Sequence, residues 1–253
     1  MSELEMDAES LTRVLGHVAD YVIDVRRNAY SEVKPQNDES DQFDAELDQF
    51  ITLMGLWVQG NSFPDNREPG AKSAVSLDKR NMADLGLRIA YSLSQWAKIL
   101  YLDDVLEELE IVTFAFGLWC ARNLGYIAVL DPIVDAVSGY ANRQSDPHVM
   151  NAFSGLICEL MDAVDNEIRV DKNNDDPNRP WRLLNFNYGI VATRSLDPQL
   201  MEQAFDQIWQ RFPEDAAVFF KEGFEQMDVV DYPEYVRAVM EKYYHATNEP
   251  TVH

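Results

Sequence analysis

Apolar residues recur along most of this chain at three- and four-residue spacings, the period of one face of an α-helix. The first stripe extends from Leu11 to Val25, with charged residues between its apolar members. Later stripes predict helices at about Asp41–Trp57, Asp78–Leu100, Asp103–Asn123, Pro132–Asn142, Pro147–Asn166, Trp181–Arg194, Pro198–Phe212, Glu214–Gln226 and Pro233–Tyr244. No segment shows the two-residue alternation of a half-buried strand. The pattern therefore predicts an all-α fold of about ten helices.

Three of these helices have a clear start signal, an aspartate followed directly by proline. The aspartates are Asp131, Asp146 and Asp197. An aspartate side chain accepts hydrogen bonds from the first backbone N–H groups of a helix. A proline in the first helical position loses no hydrogen bond within the helix, because the N–H that it lacks would have no partner there. We therefore expect each aspartate to cap the helix that follows it.

Polar segments rich in turn-forming residues separate the stripes. The two longest are Asn61–Leu77 and Arg169–Pro180, which we interpret as loops. The tail Thr247–His253 is expected to be disordered. The chain is expected to form a single domain over residues 1–246, with a subdivision near residues 61–77 as the alternative.

A short motif recurs along the chain. Gly55–Asn61 reads GLWVQGN, Gly117–Asn123 reads GLWCARN, and Gly189–Ser195 reads GIVATRS. Such self-similarity is typical of stacked supersecondary units. It predicts helical hairpins stacked as an irregular α-solenoid, with Trp57 and Trp119 at equivalent buried positions. A glycine inside a helix is unfavourable, so each motif glycine is expected to allow a neighbouring helix to approach closely.

The charge of the chain restricts its partners. It has 44 acidic and 21 basic residues, a formal net charge of -23, and thirteen of the acidic residues lie within residues 1–50. The segment Arg67–Arg88 reverses this sign. An acidic surface keeps a protein in solution, and it also repels nucleic acid and anionic membranes. We expect the partner to be a protein with a basic or mixed surface, rather than nucleic acid or a membrane.

One segment partly matches the spacing of a calcium loop. Asp171, Asn173 and Asp175 occupy the first, third and fifth positions of such a loop. Its sixth position requires glycine and its twelfth requires glutamate, but Asp176 and Arg182 stand there. We therefore interpret the segment as a solvated acidic turn rather than a calcium site.

Other catalytic and cofactor motifs are also missing. His17 and His148 lack a second histidine at the spacing of a helical metal site, and the sequence contains neither a phosphate-binding glycine loop nor a nucleophile elbow. Cys120 and Cys158 lie in apolar runs and are expected to act as core residues, with burial raising the pKa of Cys120. We expect no metal and no other cofactor.

A cluster of aromatic residues and arginines is the best candidate for contact with a partner. It comprises Arg179, Trp181, Arg182, Phe186, Tyr188 and Arg194. Such residues are common in binding hot spots. The alternative is the edge of a helical core, where Trp and Tyr keep one end in water, and this second interpretation is favoured.

These observations favour a non-enzymatic interaction module, an acidic helical scaffold that binds a protein. One alternative is an inhibitor or antidote that masks a basic surface. Another is an enzyme whose carboxylates come from distant parts of the chain. The acidic first residues do not resemble a secretory leader, and the apolar run Ile111–Cys120 is too short to cross a bilayer. A cytoplasmic location is therefore expected.

Overall fold

The computed structural model describes residues 2–29, 39–59, 79–171 and 176–248. These residues form eleven α-helices, preceded by a 3-10 turn at Ser2–Leu4. The helices are α1 (Ala8–Ala29), α2 (Glu39–Val58), α3 (Lys79–Ile99), α4 (Asp103–Leu124), α5 (Asp131–Arg143), α6 (Pro147–Asp162), α7 (Asn166–Arg169), α8 (Pro180–Arg194), α9 (Pro198–Arg211), α10 (Pro213–Met227) and α11 (Glu234–Asn248). The described part contains no strand, only an isolated bridge between Ile127 and Val164. The all-α prediction is confirmed.

Some predictions fall on parts of the chain outside the described residues. These are the loop at Asn61–Leu77, the calcium-spaced Asn173 and Asp175, and the last five residues of the tail. The tail prediction began two residues too early, because Thr247 and Asn248 belong to α11. The Thr247 hydroxyl donates a hydrogen bond to the Tyr243 carbonyl, at 2.8 Å, within that helix.

The chain packs as two units. The first comprises Met1–Tyr140 and Glu159–Arg169, and the second comprises Ala141–Cys158 and Val170–His253. In the first unit, α1 packs against α2 and α4, and α3 also packs against α2 and α4. Four helices that contact one another in a ring form a bundle. The predicted solenoid of stacked hairpins is therefore not confirmed.

Helix α4 forms the centre of the first unit. Every residue from 112 to 120 is buried, as expected for a helix that α1 and α3 both contact. The helix ends at Gly125, whose φ of 64° is left-handed and whose N–H donates to the Cys120 carbonyl. Glycine adopts this conformation without the steric cost that a Cβ would bring. Burial raises the pKa of the Cys120 thiol, as the sequence predicted.

The second unit is built around α9. This helix packs against α8, α10 and α11. Its core includes an aromatic cluster in which Phe205 contacts Phe220 and Tyr243 at centroid distances of 5.1 and 5.2 Å. At the start of α9, the Asp197 side chain accepts hydrogen bonds from the Gln199 and Leu200 N–H groups. This confirms the predicted cap.

Of the other two Asp-Pro pairs, one caps its helix as predicted and the other does not. Asp146 accepts a hydrogen bond from the His148 N–H at 2.9 Å, so it caps α6 as predicted. Asp131 is itself the first residue of α5, one residue earlier than expected.

Helix α6 ends at Asp162 rather than Asn166, because Asp165 N–H donates to the Ile127 carbonyl outside the helix. The Arg169 guanidinium donates to the Met161 and Asp162 carbonyls at the end of α6.

The three motif glycines have different surroundings. A Cβ on Gly117 would lie 3.1 Å from the Ile133 and Leu160 side chains, and one on Gly189 would lie 2.7 Å from Ile208. A Cβ on Gly55 would have no neighbour within 4 Å among the described residues. The prediction of a close approach is confirmed at Gly117 and Gly189, whereas no described residue approaches Gly55 in this way.

Candidate functional site

A groove of about 530 Å³ lies in the first unit and is called here the α1–α4 groove. Three segments line it: the chain before α1 with the first residues of that helix, the end of α2, and the second half of α4. The lining residues are Glu5, Met6, Asp7, Ala8, Glu9, Trp57, Val58, Ala115, Leu118, Trp119, Arg122 and Asn123.

The floor of the groove is one face of α4. Ala115, Leu118, Trp119 and Arg122 are spaced at i, i+3, i+4 and i+7, so they lie along a single stripe of the helix. The first three are buried, and Arg122 reaches the surface. The motif GLWCARN thus supplies most of an apolar floor and one charged residue at its end.

Trp57 forms the side of the groove contributed by α2. Its ring meets that of Trp119 edge to face, with centroids 5.2 Å apart. Trp119 also stacks on Phe116, at 5.9 Å. Trp119 is buried whereas Trp57 is only partly buried, so the prediction that the two occupy equivalent buried positions in successive hairpins is wrong. Next to Trp57, the Val58 side chain is 47% exposed and extends the apolar surface.

The wall opposite α2 is the N-terminal segment, which is fixed at several points. Leu4 is fully buried, and the Tyr140 hydroxyl donates to Glu3 at 3.2 Å. Asp7 caps α1 by accepting a hydrogen bond from the Ser10 N–H at 2.8 Å, and this bond lowers the pKa of Asp7. The wall is therefore tied to the rest of the fold through Glu3, Leu4 and Asp7.

The electrostatic character of the groove is acidic. Arg122 is the cation among its described lining residues, and it is already paired with two carboxylates. Its guanidinium lies 2.8 Å from Glu5 and donates two hydrogen bonds to Glu159, at 2.7 and 2.9 Å. These bonds lower the pKa of Glu159. Since Arg122 is neutralised, the exposed carboxylates of Asp7 and Glu9 leave the rim with net negative charge.

The arginine and aromatic residues singled out in the sequence lie in the second unit. Arg179, Trp181 and Tyr188 are buried, whereas Arg182, Phe186 and Arg194 are partly exposed. The cluster therefore combines core positions with a smaller accessible part. Its role in partner binding stays a prediction.

The three arginines of this cluster make contacts within the unit. Arg179 forms ion pairs with Asp171 and Asp215, at 2.5 and 2.6 Å, and these carboxylates raise its pKa. Arg182 lies 3.0 Å from Asp215 and 4.1 Å above the ring of Phe186.

Arg194 caps the end of α5, whose last residues, from Ala141 onward, belong to the same unit. It donates hydrogen bonds to the Ala141 and Gln144 carbonyls at the end of α5. Positive charge at this end of a helix also complements the helix dipole. The accessible surface of the cluster is therefore mainly Phe186 and the edges of Arg182 and Arg194.

The α1–α4 groove places carboxylates beside an apolar floor. Glu5 pairs with Arg122, Asp7 caps α1, and Glu9 is exposed. Among the described residues, no three His, Cys, Asp or Glu side chains lie close enough together to hold a metal ion. No described helix combines the length and apolar character needed to cross a membrane.

The sequence alone did not identify this groove. Its only local signal was the stripe at positions 115, 118, 119 and 122, which equally well describes a core-facing helix. Comparison with known proteins adds no assignment: no protein-family model matches the chain, and neither a curated protein nor a solved structure resembles it significantly.

Proposed function

We propose that this protein is a non-enzymatic acidic scaffold that binds a protein partner in the α1–α4 groove. The single observation that carries the proposal is the combination of an aromatic floor with an acidic rim. An apolar floor favours a large apolar anchor side chain, and Trp is among the residues most enriched in binding hot spots. The rim favours Lys or Arg beside that anchor.

The dimensions of the groove admit a short segment of a partner as the occupant. A volume of about 530 Å³ lies within the range of ligand pockets, about 300–1,000 Å³. Charge decides between cationic and anionic segments, because Asp7 and Glu9 face the groove while Arg122 is paired. The occupant is therefore a cationic segment with one apolar anchor.

A direct test uses synthetic peptides with a central leucine flanked by lysines. Binding is followed by tryptophan fluorescence, because Trp57 and Trp119 line the groove. We expect saturable binding that weakens when the leucine becomes serine or the lysines become glutamine. Replacing Trp57 with Phe should remove much of the fluorescence change.

A matched pair of charge reversals separates local recognition from general attraction to an acidic protein. Glu9→Lys reverses a charge at the rim, and Glu225→Lys makes the same change at an exposed site in the second unit. We expect Glu9→Lys to weaken binding by about fivefold or more, a loss of roughly 1 kcal/mol. Equal effects of both variants, or binding indifferent to the leucine, would refute the groove as the site.

The inhibitor alternative rests on the net charge of -23. Association driven by charge alone should slow steeply as salt rises, because exposed charges are screened within about 10 Å at 0.1 M. Binding through the apolar floor should keep a salt-resistant component. Measuring association rates at low and high salt therefore distinguishes the two functions.

A further inference from the structure

The turn between α3 and α4 holds an aromatic residue in an unfavourable backbone conformation. Tyr101 has a φ of 56°, in the left-handed region. Its N–H donates to the Lys98 carbonyl at 3.3 Å, and the Leu102 N–H donates to the Ala97 carbonyl at 2.9 Å. These two bonds form the helix-ending motif in which the left-handed residue is usually glycine. A tyrosine at this position is strained by its Cβ.

Packing within the described residues does not compensate for this strain. The Tyr101 side chain is 88% exposed, the highest value among the exposed large hydrophobic residues of the described chain. Ile99, two residues earlier, is 60% exposed. Two apolar side chains therefore project together from a tight, ordered turn. Backbone strain at a residue that the core does not use is a reason to look for a role outside the fold.

The charges around the turn are negative. Asp103, Asp104 and Glu108 are exposed on the first turns of α4. The nearest cation on α3, Lys98, is paired with Asp135 at 2.8 Å. A second copy of this chain would approach with a net charge of -23 and be repelled. A cationic surface would instead be attracted.

We propose that the α3–α4 turn is a docking point for a cationic protein surface, with Tyr101 inserted into an apolar pocket of that partner. Tyrosine suits this task, because it gives a large contact area with little conformational freedom to lose, and it is enriched in binding hot spots. Ile99 widens the apolar contact, and the acidic residues beside it steer the partner.

This site is separate from the α1–α4 groove. Both use α4, but the turn precedes its first residue, whereas the groove is lined by residues 115–123. At 1.5 Å per residue the two lie roughly 18–30 Å apart along the helix. The proposal therefore does not depend on the function proposed for the groove, and each can fail alone.

The first part of the test is a measurement of stability. In Tyr101→Gly the strain is removed, and we expect the melting temperature to rise by about 2–4 °C. The control is Tyr235→Gly, which removes another exposed tyrosine, from a regular position in α11, and should lower the melting temperature because glycine is unfavourable inside a helix. A lower melting temperature in Tyr101→Gly would show that the fold needs this ring and would overturn the proposal.

The second part uses a photoreactive aromatic residue, benzoylphenylalanine, at position 101 of the full-length protein in the cells that make it. We expect a specific cross-link to a protein whose contact surface is rich in Lys and Arg. The purified partner should bind Tyr101→Gly at least tenfold more weakly than the wild type, and should bind Tyr235→Gly with unchanged affinity. The absence of a cross-link, a cross-link to an acidic surface, or unchanged affinity for Tyr101→Gly would overturn the proposal.

Discussion

The indole rings of Trp57 and Trp119 meet edge to face, with centroids 5.2 Å apart and planes at 80°. The two residues occupy the same place in the repeated letters Gly-Leu-Trp, yet they face each other across one bundle. Trp119 is only 5% exposed, whereas Trp57 is partly exposed at the side of the groove. Identical local sequence has therefore produced two different environments, and the difference can be measured.

Truncating the two tryptophans should have unequal effects on stability. Trp119→Ala should lower the free energy of unfolding by roughly 3–5 kcal/mol, because it opens a cavity beside Phe116. Trp57→Ala should cost clearly less, since part of that ring already contacts water. Urea unfolding of both variants provides the comparison. Equal losses would mean that the rings contribute equally to the core.

The motif glycines should also respond differently. Gly117→Leu should destabilise the protein by roughly 1–3 kcal/mol, because even a Cβ there lies 3.1 Å from Ile133 and Leu160. Gly55→Ala should raise stability by up to about 1 kcal/mol, because helix propensity improves and no described residue lies within 4 Å of the added Cβ. Thermal unfolding of Gly117→Leu and Gly55→Ala tests whether the space around the two glycines differs in this way. A stabilised Gly117→Leu variant would show that the space around Gly117 is not restrictive.

The ion pairs of Arg179 should be important for the second unit. Its side chain is 9% exposed and lies between Asp171 and Asp215, so Arg179→Met leaves Asp171 without this partner and leaves Asp215 with Arg182 alone. We expect a loss of roughly 3–5 kcal/mol. Arg27→Met, which removes a 62% exposed arginine paired with Asp44, should cost less than about 1 kcal/mol. Chemical denaturation of both variants tests this expectation. Equal shifts of the denaturation midpoint in Arg179→Met and Arg27→Met would contradict it.

Alkaline pH should weaken the fold. Burial raises the pKa of Cys120, Tyr188 and Tyr243. Above the pKa of an unfolded thiol, about 8.5, and of an unfolded phenol, about 10, the folded state therefore holds more protons than the unfolded state. Stability must then fall as pH rises through these values, by at most about 1.4 kcal/mol per pH unit for each group.

The contribution of the thiol can be isolated with Cys120→Ala. This variant should flatten the loss of stability between about pH 8.5 and 10, while the later loss from the tyrosines remains. Melting temperatures from pH 7 to 11 provide the test, each compared with the wild type at the same pH. An unchanged slope in Cys120→Ala would show that this thiol is not responsible.

The amino-acid sequence by itself determined the local structure of this protein. The spacing of apolar residues located the helices within a few residues, and the capping groups of Asp146 and Asp197 act as predicted. These features could be predicted because a helix period and an N-terminal cap depend on residues only a few positions apart. The end of α6 was predicted four residues too late, because the hydrogen bond beyond it involves Ile127, which lies far from it in sequence.

Only the tertiary structure decided which helix faces meet. The repeated motif predicted stacked hairpins, but the described first four helices pack in a ring, and Gly55 and Gly117 have different neighbours. The groove joins residues 5–9, 57–58 and 115–123, and no local spacing connects these segments. The physical reason is that a stripe of apolar residues requires burial without specifying its partner. Which surfaces exclude water together depends on the packing of the whole unit.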